Sequence, residues 1–175
     1  MNKIPFFKPT IGEEEKKAIS DCIDSGWIVM GPKTQEFEEK FAEYVGAEYA
    51  VFVDSGTSAL FLALKCQQHF AGETLINNYI ETPSLTFVSD PEVIVNCGAI
   101  PLFIDVDKKT FCADMPYSAF PRIAVHLTGN EAGSPATIYD SAHRIEKDDV
   151  KGSRVPLCYS FYATKNMSTV QGGMI

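Results

Sequence analysis

No apolar run in the sequence approaches the ~20 residues needed to cross a bilayer. The opening Met1-Asn2-Lys3-Ile4-Pro5 leads into polar helical sequence rather than into an apolar segment with a cleavage site. The expectation is a soluble, cytoplasmic protein with no membrane partner. Cysteine is sparse and scattered: Cys22, Cys66, Cys97, Cys112 and Cys158 are odd in number and form no CxxC pair. Neither a disulfide framework nor a zinc or other metal site is expected, and the thiols read as reduced core or near-core groups. Basic residues are outnumbered, 15 Lys and Arg against 23 Asp and Glu for a net charge of -8, and they lie among acids rather than in patches. That excludes a phosphate-backbone binder, so nucleic acid is not an expected partner. No internal repeat and no Gly/Ser-rich or Pro-rich linker divides the chain. The 175 residues, 45% hydrophobic and 22% charged, suffice for the core of one globular domain.

Hydrophobic periodicity organises that domain. Thr10-Ile11-Gly12-Glu13 has the form of a capping box, and Ala18, Ile19, Cys22 and Ile23 follow on one helical face until Ser25-Gly26. A second amphipathic helix follows Pro32, with Phe37, Phe41, Tyr44 and Val45 at helical spacing. These two make residues 1–46 an N-terminal helical segment packing on the rest. Tyr49 to Val53 reads as a strand, Asp54 to Ser58 as a tight turn, and Ala59 to Cys66 as a helix. Tyr79 to Thr82 is a further strand, and Asp90-Pro91 reads as the cap and first turn of a helix ending at Gly98. Ile100 to Val106, Ile123 to Leu127, Ala136 to Tyr139 and Leu157 to Phe161 are apolar runs that mostly do not alternate, as in strands covered on both faces. The fold class is therefore α/β, a mostly parallel sheet with flanking helices. Ligands in such sheets bind beyond the carboxyl ends of the strands, where Asp54–Ser58, Asp140–His143 and Ala163–Lys165 fall.

Each of those three turns has an ordinary reading and a chemical one. Ser55-Gly56-Thr57-Ser58 offers helix-start amides and hydroxyls to a phosphate, or is simply a helix cap. Asp140 ends an apolar strand, where a carboxylate can pair with a protonated ring nitrogen, although Asp there is also a common N-cap. Lys165 follows Ser160-Phe161-Tyr162-Ala163-Thr164, and an amine just beyond a buried strand is partly desolvated and nucleophilic, although most lysines are solvated. Together the three carry more than separately, because phosphate cradle, ring-nitrogen partner and imine-forming lysine are the groups that pyridoxal-phosphate chemistry requires.

The sequence resembles the DegT/DnrJ/StrS family of sugar aminotransferases, which use pyridoxal 5'-phosphate on the type I fold. The resemblance is carried by Trp27-Ile28-Val29-Met30-Gly31-Pro32, Asp54-Ser55-Gly56-Thr57-Ser58-Ala59-Leu60, Pro83-Ser84-Leu85-Thr86-Phe87-Val88, Val125-His126-Leu127, Asp140-Ser141-Ala142-His143, Ser160-Phe161-Tyr162-Ala163-Thr164-Lys165-Asn166 and Gly172-Gly173-Met174, in the family's order. It implies that Lys165 is the catalytic lysine that holds the cofactor and moves the proton, and that Asp140 keeps the pyridine nitrogen protonated. It also implies that Gly56, Thr57 and Ser58, with Ser160, bind the cofactor phosphate. Phe87 would stack on one ring face, Ala142 would pack on the other, and His143 would lie near the ring hydroxyl. Trp27 and Gly31 would border the sugar pocket, whereas Trp beside Gly is otherwise a packing anchor. His126 matches a strand-end histidine without an assigned role, and His69 has no motif around it. The implied reaction passes an amino group from a donor, L-glutamate in most of the family, to a nucleotide-linked keto sugar. Lysine rather than histidine at position 165 disfavours the family's dehydratase branch.

Members of the family are about twice this length, so the resemblance implies the large domain without the C-terminal small domain. The segments Phe111–His126 and Gly129–Asp140 are also short for right-handed crossovers with a helix, so strand order or sheet coverage is expected to change. Three readings follow: a split enzyme completed by a chain carrying the C-terminal domain, a non-catalytic remnant binding the cofactor or a partner, and a degraded remnant. Retention of Lys165, Asp140 and Ser160 together counts against the last. A homodimer or a complementing C-terminal chain is the expected assembly, since a partial sheet would leave an apolar face and a strand edge open.

Overall fold

The computed structural model describes residues 3–5, 7–71 and 79–175; Met1 and Asn2 of the N-terminal stretch lie outside them. Among the described residues are four α-helices, α1 (Glu13–Asp24), α2 (Pro32–Val45), α3 (Gly56–Ala71) and α4 (Ser89–Asn96). The strands are β1 (Phe52–Val53), β2 (Tyr79–Pro83), β3 (Ile100–Ile104), β4 (Ile123–Val125), β5 (Ile138–Asp140), β6 (Leu157–Ser160) and β7 (Gly173–Met174). β4, β5 and β6 run parallel, with Ile123 opposite Ile138 and Tyr139 opposite Leu157. β7 reverses direction between β6 and β1, giving the order β1-β7-β6-β5-β4. β2 and β3 form a parallel pair, and a bridge from Glu81 to Arg122 sets β2 beside β4. The mostly parallel sheet read from the apolar runs is present.

Strand alternation divides the core. Side chains two apart share a face, so Ile138 and Cys158 pack with Leu60, Leu64, Val93 and Ile94 of α3 and α4. Leu157, Tyr159 and Phe161 face the other way, onto Phe41 and Val45 of α2. The second face is rich in aromatic pairs, with ring centroids 5.0 Å apart for Phe41–Tyr159 and 5.3 Å for Phe37–Phe161. Each such pair adds about 0.5–1.5 kcal/mol beyond area burial. By the same alternation Asp140 and Ser160 belong to the face that carries α3, which decides where the cleft forms.

Three expectations are corrected. Of the helical segment 1–46, α2 alone packs on the sheet: α1 buries no residue, and Ile19 and Ile23 on its apolar face are 60% and 61% exposed. The helix is capped at Gly12 rather than Thr10, with only the return half of a capping box: Gly12 is the extended residue and its N–H donates to the Glu15 carboxylate at 2.6 Å. α4 begins at Ser89, one residue before the expected cap at Asp90.

The short connections change coverage and not strand order. Residues 105–122 and 126–137 lie over the sheet without an α-helix, and Cys112 and Ala132 pack on Ala124 and Tyr139 where a crossover helix would sit. Ser134 Oγ stitches the two segments, donating to the Ala113 carbonyl at 2.8 Å and accepting from the Met115 amide at 2.7 Å. Arg122 anchors them. It is 2% exposed, its Nε donates to Glu81 Oε2 at 2.7 Å, and its Nη1 donates to the Met115 carbonyl at 2.7 Å.

Removing one partner of a buried ion pair leaves the other charge uncompensated. Arg122→Met is expected to lower stability to urea by about 3–5 kcal/mol, and Arg122→Met with Glu81→Leu to recover most of it. Equal losses in the single and double variants would show that the guanidinium, and not the pairing, holds the segments.

Candidate active site

A cleft of about 420 Å³ opens beyond the carboxyl ends of β4, β5 and β6, walled by the β1–α3 turn, the β2–α4 loop and the segments after β5 and β6. The parallel ladder builds it. The His126 amide donates to the Asp140 carbonyl at 2.9 Å and the Ser141 amide to the Cys158 carbonyl at 2.7 Å, so the three strands end in step. Their last side chains then share one space.

Asp140 forms the floor. Its Oδ1 accepts the Ala142 N–H at 2.8 Å, a local turn bond of the kind the cap reading anticipated, while the carboxyl still borders the cleft. Burial pushes its pKa up, opposed by the Ala142 N–H and by the positive charge of Lys165. Lys165 lies on the turn after β6, where its amide donates to the Tyr162 carbonyl at 2.9 Å and its side chain is half-buried. Desolvation pushes the amine's pKa down, with Asp140 acting against it. The amine therefore has a larger neutral, nucleophilic fraction than a surface lysine, near a carboxylate that can orient it.

At the opposite end Ser55 caps α3: its Oγ accepts the Ser58 amide at 3.1 Å. The first amides of a helix have no intrahelical acceptor, and Gly56 and Thr57, the first residues of α3, line the cleft. Ser160 comes against them so closely that a Cβ on Gly56 would stand 2.9 Å from Ser160 Cβ. From behind, Gly173 of β7 presses on the same turn, and a Cβ there would fall 2.4 Å from the Ser55 carbonyl oxygen. Amides, hydroxyls and a helix N-terminus meet in a concavity suited to an anion.

Phe87, 70% exposed, stands in the cleft wall, and Ala142 and His143 line it after Asp140. His143 Nδ1 accepts the Thr128 N–H at 3.3 Å; burial, and then the Lys165 charge, push its pKa down. Thus Lys165, Gly56, Thr57, Phe87, Asp140, Ala142, His143 and Ser160 are brought together. Three candidates are not. Ser58 does not line the cleft: its amide donates to Ser55 Oγ at 3.1 Å, and its hydroxyl oxygen accepts from Ser55 Oγ at 3.0 Å. Trp27 lies outside the cleft because its Nε1 donates to the Met30 carbonyl at 3.1 Å and its ring covers Gly31.

Sequence reasoning missed Thr86 and Gln171 as lining residues, and left His126 without a role. Thr86 sat inside a motif without a stated function, and Gln171 gave no signal. His126 combines structural and cleft positions: its Nδ1 accepts the Ala132 N–H at 2.9 Å and its ring stacks on Tyr139, centroids 5.0 Å apart, while it also borders the cleft. Two strained residues flank the site, Thr128 at φ 55° and Val170 at φ 71°, a left-handed backbone that β-branched side chains disfavour.

Residues 9–117 match the DegT/DnrJ/EryC1/StrS aminotransferase family. The chain is 37% identical to the spore coat polysaccharide biosynthesis protein SpsC of Bacillus subtilis (strain 168), over 98% of this chain and 49% of SpsC. It superposes on the PMP-form of the putative sugar aminotransferase Spr1654 from Streptococcus pneumoniae with a TM-score of 0.83 and 26% identity, covering 99% of this chain and 52% of that one. Helicobacter pylori PseC, an aminotransferase involved in the biosynthesis of pseudoaminic acid, shares the fold at a TM-score of 0.80 and 21% identity, over 99% of this chain and 52% of its own. The chain spans about half the length of the curated relative it matches.

Gly173 meets backbone rather than a flexible side chain. Gly173→Ala is therefore expected to force β7 and the β1–α3 turn apart, costing about 1–3 kcal/mol in urea unfolding and weakening anion binding at the turn. An unchanged unfolding midpoint would show that the turn yields freely.

Proposed function

We propose, because the chain belongs to the DegT/DnrJ/EryC1/StrS aminotransferase family, that its cleft binds pyridoxal 5'-phosphate and serves amino transfer to a sugar carbonyl. The residues present fit that cofactor. The observation that carries the reading is the alignment along one cleft of an anion cradle, a buried carboxylate and a desolvated lysine. The close approach of Gly56 to Ser160 leaves that cradle open to backbone contact, which a side chain at 56 would fill.

Bound there, pyridoxal phosphate supplies an aldehyde carbon that carries the amino group and a ring that takes up electrons. The amides of Gly56 and Thr57, with the Ser160 hydroxyl, hold the phosphate. Asp140 keeps a proton on the ring nitrogen through a charge-assisted hydrogen bond in a low-dielectric floor, where such a bond is strong. Phe87 and Ala142, which line the cleft, would pack on the ring and restrict water. Lys165 would hold the cofactor through its amine and serve as the base and acid for the substrate proton, a role favoured by the desolvation that lowers its pKa.

The sugar assignment draws on the relatives, whose names speak of polysaccharide biosynthesis and sugar aminotransfer. Within that class we assign a nucleotide-linked keto sugar as acceptor and L-glutamate as donor. The assembly is a homodimer or a complex with a chain that supplies the rest of the site; the exposed Phe87, Val88, Tyr162 and Val170 around the cleft give such a partner apolar surface to cover.

With pyridoxal phosphate added, the protein is expected to develop a visible absorbance band that borohydride bleaches, and Lys165→Ala to show none. Loss of this lysine is also expected to lower amino transfer about 10²–10⁴-fold. A band of equal intensity in Lys165→Ala would remove Lys165 from its role, and no band in either protein would refute cofactor binding by this chain.

A further inference from the structure

A second buried acid lies outside the motif that carries Asp140. Asp90, in the first turn of α4, is fully buried, and Asp140 is 5% exposed. Thr86 Oγ1 donates to Asp90 Oδ2 at 2.5 Å. The other oxygen, Oδ1, is buried without a donor, and the Asp140 carboxyl is near enough that each acid alters the other's proton affinity. Two facing carboxylates cannot both ionise in such a place, because each would desolvate and repel the other. One proton resolves both problems: it removes the repulsion and turns the orphan oxygen into a donor.

We propose that Asp90 is a positioning residue that carries this shared proton and donates it in a hydrogen bond to Asp140, holding Asp140 as an oriented carboxylate at the floor of the cleft. The proton belongs on Asp90 because the surroundings are unequal. Asp140 is supported in its ionised form by the Ala142 N–H and by the charge of Lys165, whereas Asp90 has the Thr86 hydroxyl and its own backbone N–H, with no cation beside it. Burial, then the charge of Asp140, push Asp90 well above the usual carboxylate range.

The neighbours do not supply a competing cation. Cys158 of β6 lies near both acids, and they and its burial push its thiol well up, so it stays neutral. α3, β2 and β3 pack against α4. Of these, α3 carries Lys65, Cys66 and His69, with the Lys65 amine bonded to the Cys97 carbonyl at 3.4 Å. β2 brings Glu81, which is spent on Arg122, and β3 has no titratable group. On α4 itself are Glu92 and the adjoining Cys97.

The inference rests on the cofactor reading for its consequence: Asp90 then tunes the carboxylate that faces the ring nitrogen. Its first test needs no cofactor. A carboxyl whose folded pKa exceeds its ordinary value of 3.8 stabilises the fold fully below that value, and the contribution is lost as pH rises through the folded pKa. In urea unfolding between pH 5 and 8, the ratio of folding constants, wild type over Asp90→Asn, is expected to fall by up to about tenfold per pH unit. Parallel curves would overturn the proposal. Infrared spectra at pH 7 should show a protonated carboxyl band in the wild type that is missing from Asp90→Asn and shifted in frequency in Asp140→Asn, where burial still keeps the proton on Asp90 but its acceptor has changed; its absence from the wild type would overturn it independently of any variant's folding. With pyridoxal phosphate bound, the pH at which the visible band changes form is expected to move by about one pH unit in Asp90→Asn, a tenfold change in proton affinity, and an unmoved value would deny Asp90 its positioning role. A wild type with the stability slope and carboxyl band but no cofactor uptake keeps the pair and sinks the cofactor reading. Cofactor uptake without slope or band does the reverse.

Discussion

The parallel ladder of β4, β5 and β6 is the constraint on which everything else depends. Its hydrogen bonds bring three strands to a common end, and strand alternation then decides which side chains share the space beyond. Asp140 and Ser160 emerge toward α3, whose capped start supplies an anion cradle, while Tyr159 and Phe161 fix α2 to the opposite face. Slipping β5 by one residue would turn Asp140 into the aromatic cluster and Tyr139 into the cleft. The reversed β7 secures the arrangement, because only a residue without Cβ fits behind the Ser55–Gly56 turn.

Much of this was legible in the sequence because its signals are local or ordered along the chain. The strand, Ser-Gly turn and helix from β1 to α3, the acid at the end of β5 and the lysine after β6 each carry their own pattern, and a parallel sheet sends all three to one edge. Legibility failed where local rules met tertiary demands. Asp90 before Pro91 looked like a helix cap, yet the helix starts one residue earlier and the carboxyl is buried, bonded to Thr86. Ser58 looked like a phosphate ligand from its place in the turn, but its amide caps onto Ser55 and the residue does not line the cleft. Trp27 was drawn toward the sugar pocket by its motif, whereas its indole is satisfied three residues away.

The two short connections were recognised as incompatible with helical crossovers, but the sequence left strand order and coverage as alternatives. Coverage changed because a buried arginine can do several things at once. The Arg122 guanidinium satisfies the Met115 carbonyl while neutralising Glu81, so irregular backbone can lie on the sheet with its polar groups paired. The alternative, moving a strand, would have broken the step of Val125, Asp140 and Ser160 that the cleft requires.

The same economy changes how the chain can reach its native state. Parallel neighbours are ordinarily slow to meet, because a long crossover must first be closed. Between β4 and β5 the loop is only residues 126–137, shorter than the segments that separate β2 from β3 or β5 from β6. Its closure entropy is correspondingly small, each doubling of loop length costing about 0.6 kcal/mol more. The pair that ends in Asp140 is thus the parallel pairing most accessible to an unfolded chain, and it gives the remaining strands an ordered edge on which to assemble.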